Sequence, residues 1–268
     1  MDTVLKIGSS SNQVDIHPFG ATVIGWKYNN VDLLFLSSKA ITDGSKAIRG
    51  GIPICFPQFG PWTAGPQHGF ARSKPWKLTK KDDNTAVAIL QHDDETLKLW
   101  PYNFEFIYTI KVLEDKKLSF QMEVHNKSEK EFDFTFCFHT YFNVPDVKKC
   151  AIEGLKDLEY IDKVKGGAKT NESRPKVTIS DSTDSIYLSA PDVITLHGAQ
   201  NGHSIQIKKS GIKDVVVWNP WIENAKKMSD FGDEGYTNMV CVEPANAIDR
   251  VVIKPESSWV GKVELEVV

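Results

Sequence analysis

The feature of the sequence that most constrains its fold is an alternation of apolar and polar residues with a period of two. It runs through three neighbouring segments, residues 103–113, 117–126 and 131–141. Side chains of a β-strand point alternately to its two faces, so this pattern predicts strands whose faces differ in polarity. Short turns at 114–115 and 126–128 favour antiparallel hairpins between them.

Other segments extend this pattern to nearly the whole chain. A helix is predicted with Asn219 as its cap and Pro220 at its first position, followed by Trp221, Ala225 and Met228 at helical spacing. Long alternating strand–helix units are missing, which argues against a parallel doubly wound sheet. We therefore expect an all-β, mainly antiparallel fold, a large β-sandwich with few short helices, in one domain over residues 1–268. Further strands are predicted at 21–28, 31–36, 85–91, 193–197, 204–208, 214–218, 238–243 and 259–267.

The charge balance and the cysteines narrow the class of protein. The chain has 32 Lys and Arg against 35 Asp and Glu, a formal charge of -3, which gives no support to nucleic-acid binding. No apolar stretch reaches the ~18 residues of a membrane span, and residues 1–12 lack the apolar core of a signal peptide. We expect a cytoplasmic monomer without nucleic-acid or membrane partners. Four cysteines without CxxC spacing predict reduced thiols rather than a disulfide framework.

One irregular segment, residues 43–76, stands apart from the strands. It is dense in Gly and Pro, and long irregular segments in compact domains are often functional, although an ordinary packed loop is the alternative. Arg49 and Arg72 flank its centre, and guanidinium groups bind phosphate or neighbouring hydroxyls. Gln67 and His68 add directional hydrogen bonding. Each arginine alone would more often be a surface ion-pair partner.

Two residues at strand ends are candidates for proton transfer. In 131–141 the phenylalanines share one face, which leaves His139 on the opposite, more polar face. A histidine suits proton transfer near neutral pH, although the pattern alone favours a plain surface histidine or one bonded to a backbone carbonyl. Glu243 lies in the apolar run MVCVEPA, where apolar surroundings would raise its pKa toward that of a general base. An exposed carboxylate at a strand end is the alternative.

Weaker signals occur elsewhere. Asp184, in DSTDSIY, could bind sugar hydroxyls, although a Ser/Thr or Asx turn is the simpler interpretation. The tryptophans of WNPW suggest sugar stacking, but core packing is preferred. Residues 91–95 look metal-binding but are most simply a solvated loop. No GxSxG, P-loop or HExxH motif is present.

Seven motifs that occur in order resemble one family. They are IRGGIPICFPQFG, QHGFARSKPW, DDETLKLWPYNFEF, FHTYFNV, TDSIY, VVWNPW and MVCVEPANA. Together they are similar to the hexose-6-phosphate mutarotases (glucose-6-phosphate 1-epimerases) of the aldose 1-epimerase superfamily, from about residue 16 to the C-terminus. The resemblance implies the large β-sandwich of the galactose-mutarotase-like type.

The resemblance also implies an activity and a site. His139 and Glu243 match the catalytic pair, and Arg49, Gln67, Arg72 and Asp184 match substrate-binding positions, with His68 beside them. The family often has Arg after the Asp, where this chain has Ser185, which implies one positive charge fewer near the sugar.

The implied reaction is acid–base exchange of the anomers of glucose 6-phosphate, a small sugar phosphate, without metal or other cofactor. The alternatives are a neutral-sugar aldose epimerase, a non-catalytic sugar-phosphate binding protein and a glycosidase that uses Asp184 and Glu243.

Overall fold

The computed structural model describes residues 4–113 and 116–268, most of which lie in β-strands. The first ten strands are β1 (Leu5–Gly8), β2 (Asn12–His17), β3 (Thr22–Tyr28), β4 (Val31–Asp32), β5 (Ile54–Cys55), β6 (Lys77–Asp82), β7 (Thr85–Gln91), β8 (Phe104–Leu113), β9 (Lys117–Asn126) and β10 (Phe132–Phe138). Eleven more follow: β11 (Tyr141–Asn143), β12 (Ala151–Glu153), β13 (Glu159–Asp162), β14 (Ala168–Asn171), β15 (Lys176–Thr178), β16 (Thr183–Tyr187), β17 (Val193–His197), β18 (Ile205–Ser210), β19 (Asp214–Asn219), β20 (Met239–Ile253) and β21 (Ser258–Val267). The α-helices of the described ranges are α1 (Asp94–Leu99) and α2 (Trp221–Lys227).

The strands form three sheets with antiparallel neighbours. The largest has the order β15-β12-β17-β18-β21-β9-β8-β7-β6. The second has the order β14-β13-β16-β19-β20-β10-β5, with β11 also paired to β20, and β1 to β4 form the third. The predicted all-β antiparallel sandwich with few helices is therefore confirmed.

Most predicted strands match observed ones to within a few residues, and three differ. The predicted strand at 31–36 shortens to β4, and the one at 131–141 divides into β10 and β11. The one at 238–243 is the start of the 15-residue β20. The predicted turn at 114–115 lies outside the described residues.

The inner face of β10 holds the sandwich together. Its four phenylalanines are at most 2% exposed, as the alternation predicts. They pack on the nine-stranded sheet: the ring centroids of Phe138 and Phe120 are 4.8 Å apart, and those of Phe136 and Trp259 are 5.1 Å apart. Aromatic pairs in this geometry bury much apolar surface, so they fix the two sheets face to face.

The two helices begin differently: α1 has a side-chain cap at Asp93, whereas the N-cap of α2 is Pro220, one residue after the predicted Asn219, and has no side-chain cap. The predicted helix is α2, and the Asn219 carboxamide oxygen accepts the Trp221 backbone N–H at 2.8 Å. The prediction of a solvated loop at 91–95 is wrong, because Asp94 and Glu95 open α1. Asp93 accepts the backbone N–H groups of Glu95 and Thr96 there, a capping box that stabilises the first turn.

Neither helix of the described ranges is long and apolar enough to cross a membrane. The four cysteines are free and buried, as predicted.

Candidate active site

A cavity of about 230 Å³ opens on the face of the eight-stranded sheet that is turned away from the nine-stranded sheet. All seven residues that the sequence predicts for the site line this cavity. They are Arg49, Gln67, His68, Arg72, His139, Asp184 and Glu243. The irregular segment 43–76 supplies four of them, so the long Gly- and Pro-rich stretch forms one wall of the cavity.

Strand register brings His139 and Glu243 together. Tyr141 of β11 pairs with Cys241 of β20, which leaves His139 opposite Glu243 two residues away. The His139 Nδ1 and Glu243 Oε1 atoms are 3.3 Å apart, and both side chains are almost fully buried. The ring of His139 stacks on that of Tyr141 at 4.7 Å with an interplanar angle of 8°, which fixes its orientation.

The Glu243 carboxyl group has a second contact behind it. The Cys137 thiol donates to Glu243 Oε2 at 3.0 Å, so one oxygen is held and the other faces His139. His139 Nδ1 lacks a hydrogen-bond partner among the described residues, since its approach to Glu243 does not have hydrogen-bond alignment. A buried, unpaired ring nitrogen at a cavity wall is a group that a ligand can satisfy.

Burial shifts the pKa values of this pair in opposite directions. It raises the pKa of Glu243 well above its ordinary value. It lowers the pKa of His139 well below its ordinary value, and the positive charges of Arg72 and Arg49 lower it further. Burial therefore shifts both groups toward their uncharged forms, a neutral imidazole and a protonated carboxyl group.

Arg49 is held rigidly by a residue far along the chain. Its Nε and Nη2 atoms donate to the two carboxylate oxygens of Asp230 at 3.3 and 3.4 Å, and its Nη1 donates to the Tyr141 hydroxyl at 3.2 Å. Lys46 also contacts Asp230 at 2.9 Å. Although burial raises the pKa of Asp230, the hydrogen bond from Lys46 and the charge of Arg49 outweigh it, and the net pKa is lowered.

The remaining residues of this wall are fixed by backbone contacts. Arg72 Nη2 donates to the Gln67 carbonyl oxygen at 2.9 Å. The Gly60 N–H donates to His68 Nδ1 at 3.1 Å, so Nδ1 is the acceptor atom of that ring. A side chain at Gly51 would overlap the Val23 carbonyl oxygen, which explains the glycine beside this wall.

The opposite wall contains a charged pair. Asp184 of β16 lies opposite Trp218 of β19 in the register, and both side chains line the cavity. The Lys163 Nζ atom is 2.9 Å from Asp184 Oδ2. Ser185 does not line the cavity, so the positive charge beside Asp184 comes from a residue that the motifs did not indicate.

Sequence reasoning missed several wall residues. Lys163 at the wall and Asp230 behind Arg49 belong to no motif that signals a site, whereas Phe59 lies within IRGGIPICFPQFG without a feature that singles it out. Tyr141 could have been found, because it shares the face of His139 two residues along the strand. Trp218 lines the cavity and packs against His139 at 5.8 Å, so the preferred interpretation of WNPW as core packing alone is incomplete.

One set of buried side chains, two of which line the cavity, has the donor types of a metal site. The ligand atoms of His139, Cys241 and Glu243 all lie within 4.8 Å of one another. Nitrogen, sulfur and carboxylate donors suit Zn²⁺.

Comparison with known proteins identifies the family. The aldose 1-epimerase family matches residues 3–266. The chain is 38% identical to a Cenchrus ciliaris protein named "Putative glucose-6-phosphate 1-epimerase", covering all of this chain and 85% of the relative. A protein of the same name from Escherichia coli (strain K12) is 36% identical over 88% of this chain and 81% of its own length.

A solved structure agrees. The crystal structure of a "putative mutarotase" from Salmonella typhimurium superposes with a TM-score of 0.90 at 31% identity, covering all of this chain and 91% of that one. The chain belongs to the aldose 1-epimerase family.

Proposed function

We propose that the protein is an isomerase that interconverts the α and β anomers of glucose 6-phosphate. The observation that carries the proposal is the opposed pair of His139 and Glu243, 3.3 Å apart in a cavity that two arginines line. The names of the two relatives support glucose 6-phosphate as the substrate. Arg49 and Arg72 provide the charge-assisted hydrogen bonds that a 6-phosphate requires.

The reaction needs a base at the O1 hydroxyl and an acid at the ring oxygen O5, which are both bonded to the anomeric carbon. Glu243 removes the proton from O1, the C1–O1 bond becomes a carbonyl, and the C1–O5 bond breaks. His139 gives a proton to O5 as that bond breaks. Rotation about C1–C2 presents the other face of the aldehyde, and the same steps in reverse close the ring.

The pair holds the number of protons that this mechanism requires. Burial favours the uncharged forms of both groups, and transfer of the carboxyl proton from Glu243 to His139 produces the carboxylate base and the imidazolium acid. Oε1 and Nδ1 are 3.3 Å apart, so a small rotation of either side chain that aligns the donor with the acceptor allows this transfer. Bonds from sugar hydroxyls replace solvent around the charged form, which offsets part of its burial cost.

The test is the rate of anomer exchange of glucose 6-phosphate, measured by NMR saturation transfer. We expect wild type to accelerate exchange, and His139→Ala and Glu243→Ala each to lose at least ~10²-fold, the usual contribution of a proton-transfer group. His197→Ala is the matched control, because His197 pairs with Glu153 outside the cavity.

Two outcomes would change the proposal. Equal acceleration of glucose exchange would favour a neutral-sugar epimerase. Binding of glucose 6-phosphate by folded wild type without acceleration would favour a binding protein.

A further inference from the structure

Lys163 is a cavity residue whose placement is specific. It follows β13 directly, and its backbone N–H donates to the Asp184 carbonyl oxygen at 2.9 Å. Its ammonium group lies 2.9 Å from the Asp184 carboxylate and 5.6 Å from the centre of the Phe59 ring. Two contacts to one residue and an aromatic neighbour hold this lysine at the cavity wall.

A second lysine in the same turn does not reach the cavity, which shows that the turn alone does not place a lysine there. Lys165 pairs with Asp162 at 3.3 Å, its side chain is 74% exposed, and it does not line the cavity. The Lys163 side chain is 35% exposed. An ion pair of this exposure stabilises a fold by about 1 kcal/mol or less, so stability alone gives weak reason for a lysine at this position.

The charges around the cavity fall on two sides. On one side, the His139 ring lies 5.6 Å from that of His68 and stacks on Tyr141, whose hydroxyl accepts a hydrogen bond from Arg49. On the other side of β20, which carries Glu243, the neighbouring β19 and β16 place Asp184 with its partner Lys163. The acid of the reaction is therefore next to the arginines, and the base is next to the Lys163–Asp184 pair.

The order of atoms in the sugar ring then determines which substrate groups face each of these two sides. His139 protonates O5, and the edge O5–C5–C6 continues to the phosphate on the arginine side. The anomeric carbon has one other ring neighbour, C2, which must lie on the opposite edge. If the proposed function holds, the hydroxyl at C2 therefore faces the Lys163–Asp184 pair.

We propose that Lys163 is a substrate-binding residue that, with Asp184, recognises the C2 hydroxyl of the sugar phosphate. The ammonium group donates to the hydroxyl oxygen, and the Asp184 carboxylate accepts the hydroxyl proton. An ammonium group has three donors, so it can bind the hydroxyl and keep Asp184 as its partner. A site built to bond a hydroxyl discriminates against the analogue that lacks it.

The experiment pairs a protein change with a substrate change. Lys163→Met keeps the aliphatic stem and removes the charge, and Lys165→Met is the matched control. KM is measured for glucose 6-phosphate and for 2-deoxyglucose 6-phosphate. We expect Lys163→Met to raise the KM for glucose 6-phosphate about tenfold, the scale of a lost hydrogen bond to a charged group. Its KM for the 2-deoxy substrate should stay within about twofold of wild type, and Lys165→Met should change neither.

Other results would overturn the proposal. An equal loss with both substrates would place Lys163 at the phosphate or in a structural role, and no loss with either would remove it from the substrate. Circular dichroism establishes that the variants fold. If wild type does not accelerate exchange, the proposed function fails, and calorimetric titration of the same two sugar phosphates still measures whether Lys163 recognises the C2 hydroxyl.

Discussion

Apart from the exposed Asp133, both faces of β10 are buried, but burial has opposite consequences on the two faces. The inner face is a row of phenylalanines, whose removal from water stabilises the fold. On the outer face Thr135, Cys137 and His139 are also almost inaccessible, although all three carry polar groups. Burial of a polar group costs free energy unless a hydrogen bond replaces its water.

The polar groups of the outer face have hydrogen-bond partners up to the edge of the cavity, but the group at the cavity itself does not. The Thr135 hydroxyl accepts the Phe59 backbone N–H at 2.6 Å, and the Cys137 thiol donates to Glu243 at 3.0 Å. His139, at the end of the row, has Nδ1 without a hydrogen-bond partner among the described residues. One strand thus supplies stability through one face, while its other face ends in groups prepared for a ligand.

Truncation on the inner face should have the largest effect on stability. Phe134 is fully buried, and its ring packs on Phe56 at 4.8 Å and Trp259 at 5.5 Å. We expect Phe134→Ala to lower the free energy of unfolding by about 3–5 kcal/mol, because a cavity remains where the ring was. Urea denaturation measures the change.

The matched control is Val252→Ala on the neighbouring β20, where the side chain is 59% exposed. It should change the free energy of unfolding by about 0.5 kcal/mol or less. A loss below about 1 kcal/mol in Phe134→Ala would contradict the role of the inner face.

Removal of a charge from the cavity should instead affect activity. Arg49→Met takes away a fork of donors, and hydrogen bonds to charged groups contribute about 1.5–3 kcal/mol. We expect kcat/KM for glucose 6-phosphate to fall roughly ten- to a hundredfold, mainly through KM, because each 1.36 kcal/mol is tenfold.

Arg250→Met is the control for this change, since Arg250 pairs with Asp133 at the surface. It should leave KM unchanged. If Arg49→Met also leaves KM unchanged, the phosphate does not bind at Arg49.

The difference between the two faces explains what the sequence could predict. Period-two alternation identified β10 and its inner face, because strand geometry is local. His139 and Glu243 were detectable because each is a polar residue at the end of an apolar run. Their separation of 3.3 Å was not, since it depends on the pairing of strands about a hundred residues apart.

The charged residues that support the site could not be predicted from the sequence either, because their contacts also join distant parts of the chain. Asp230 binds Arg49 across 181 residues of chain, and Lys163 lies in an ordinary turn with other lysines nearby. Nothing in their local sequences separates them from solvated charges. In the other direction, the cap of α1 at Asp93 is local, and attention to Asp93 and Thr96 would have predicted that helix.

The buried Glu243, on the neighbouring β20, should also lower the free energy of unfolding at neutral pH. Its pKa is raised in the folded state, so above the unfolded-state pKa of about 4.3 the folded protein holds this proton more tightly than the unfolded chain. Wild type therefore loses stability as pH rises from that value toward the folded-state pKa, whereas a glutamine does not ionise.

We expect Glu243→Gln to unfold at higher urea than wild type at pH 7.5, with the difference shrinking toward pH 4.3. The Gln side-chain oxygen can still accept the Cys137 thiol. Glu129→Gln, at an exposed position, provides the comparison. A stability difference for Glu243→Gln that does not vary with pH would contradict a raised pKa.

The smallest effect concerns the titration of His139. Burial lowers its pKa first and the neighbouring positive charges second, so at pH 6.5 its ring should be neutral. Nitrogen-15 NMR of the imidazole rings measures this, with the resonance assigned by its absence in His139→Ala. In unfolded protein the same ring should be half-protonated near pH 6.5. Because the neighbouring positive charges lower the pKa of His139 less than burial does, Arg49→Met should move its titration midpoint upward only slightly. A half-protonated His139 at pH 6.5 in folded wild type would contradict this prediction, because it would mean that water reaches the His139 ring.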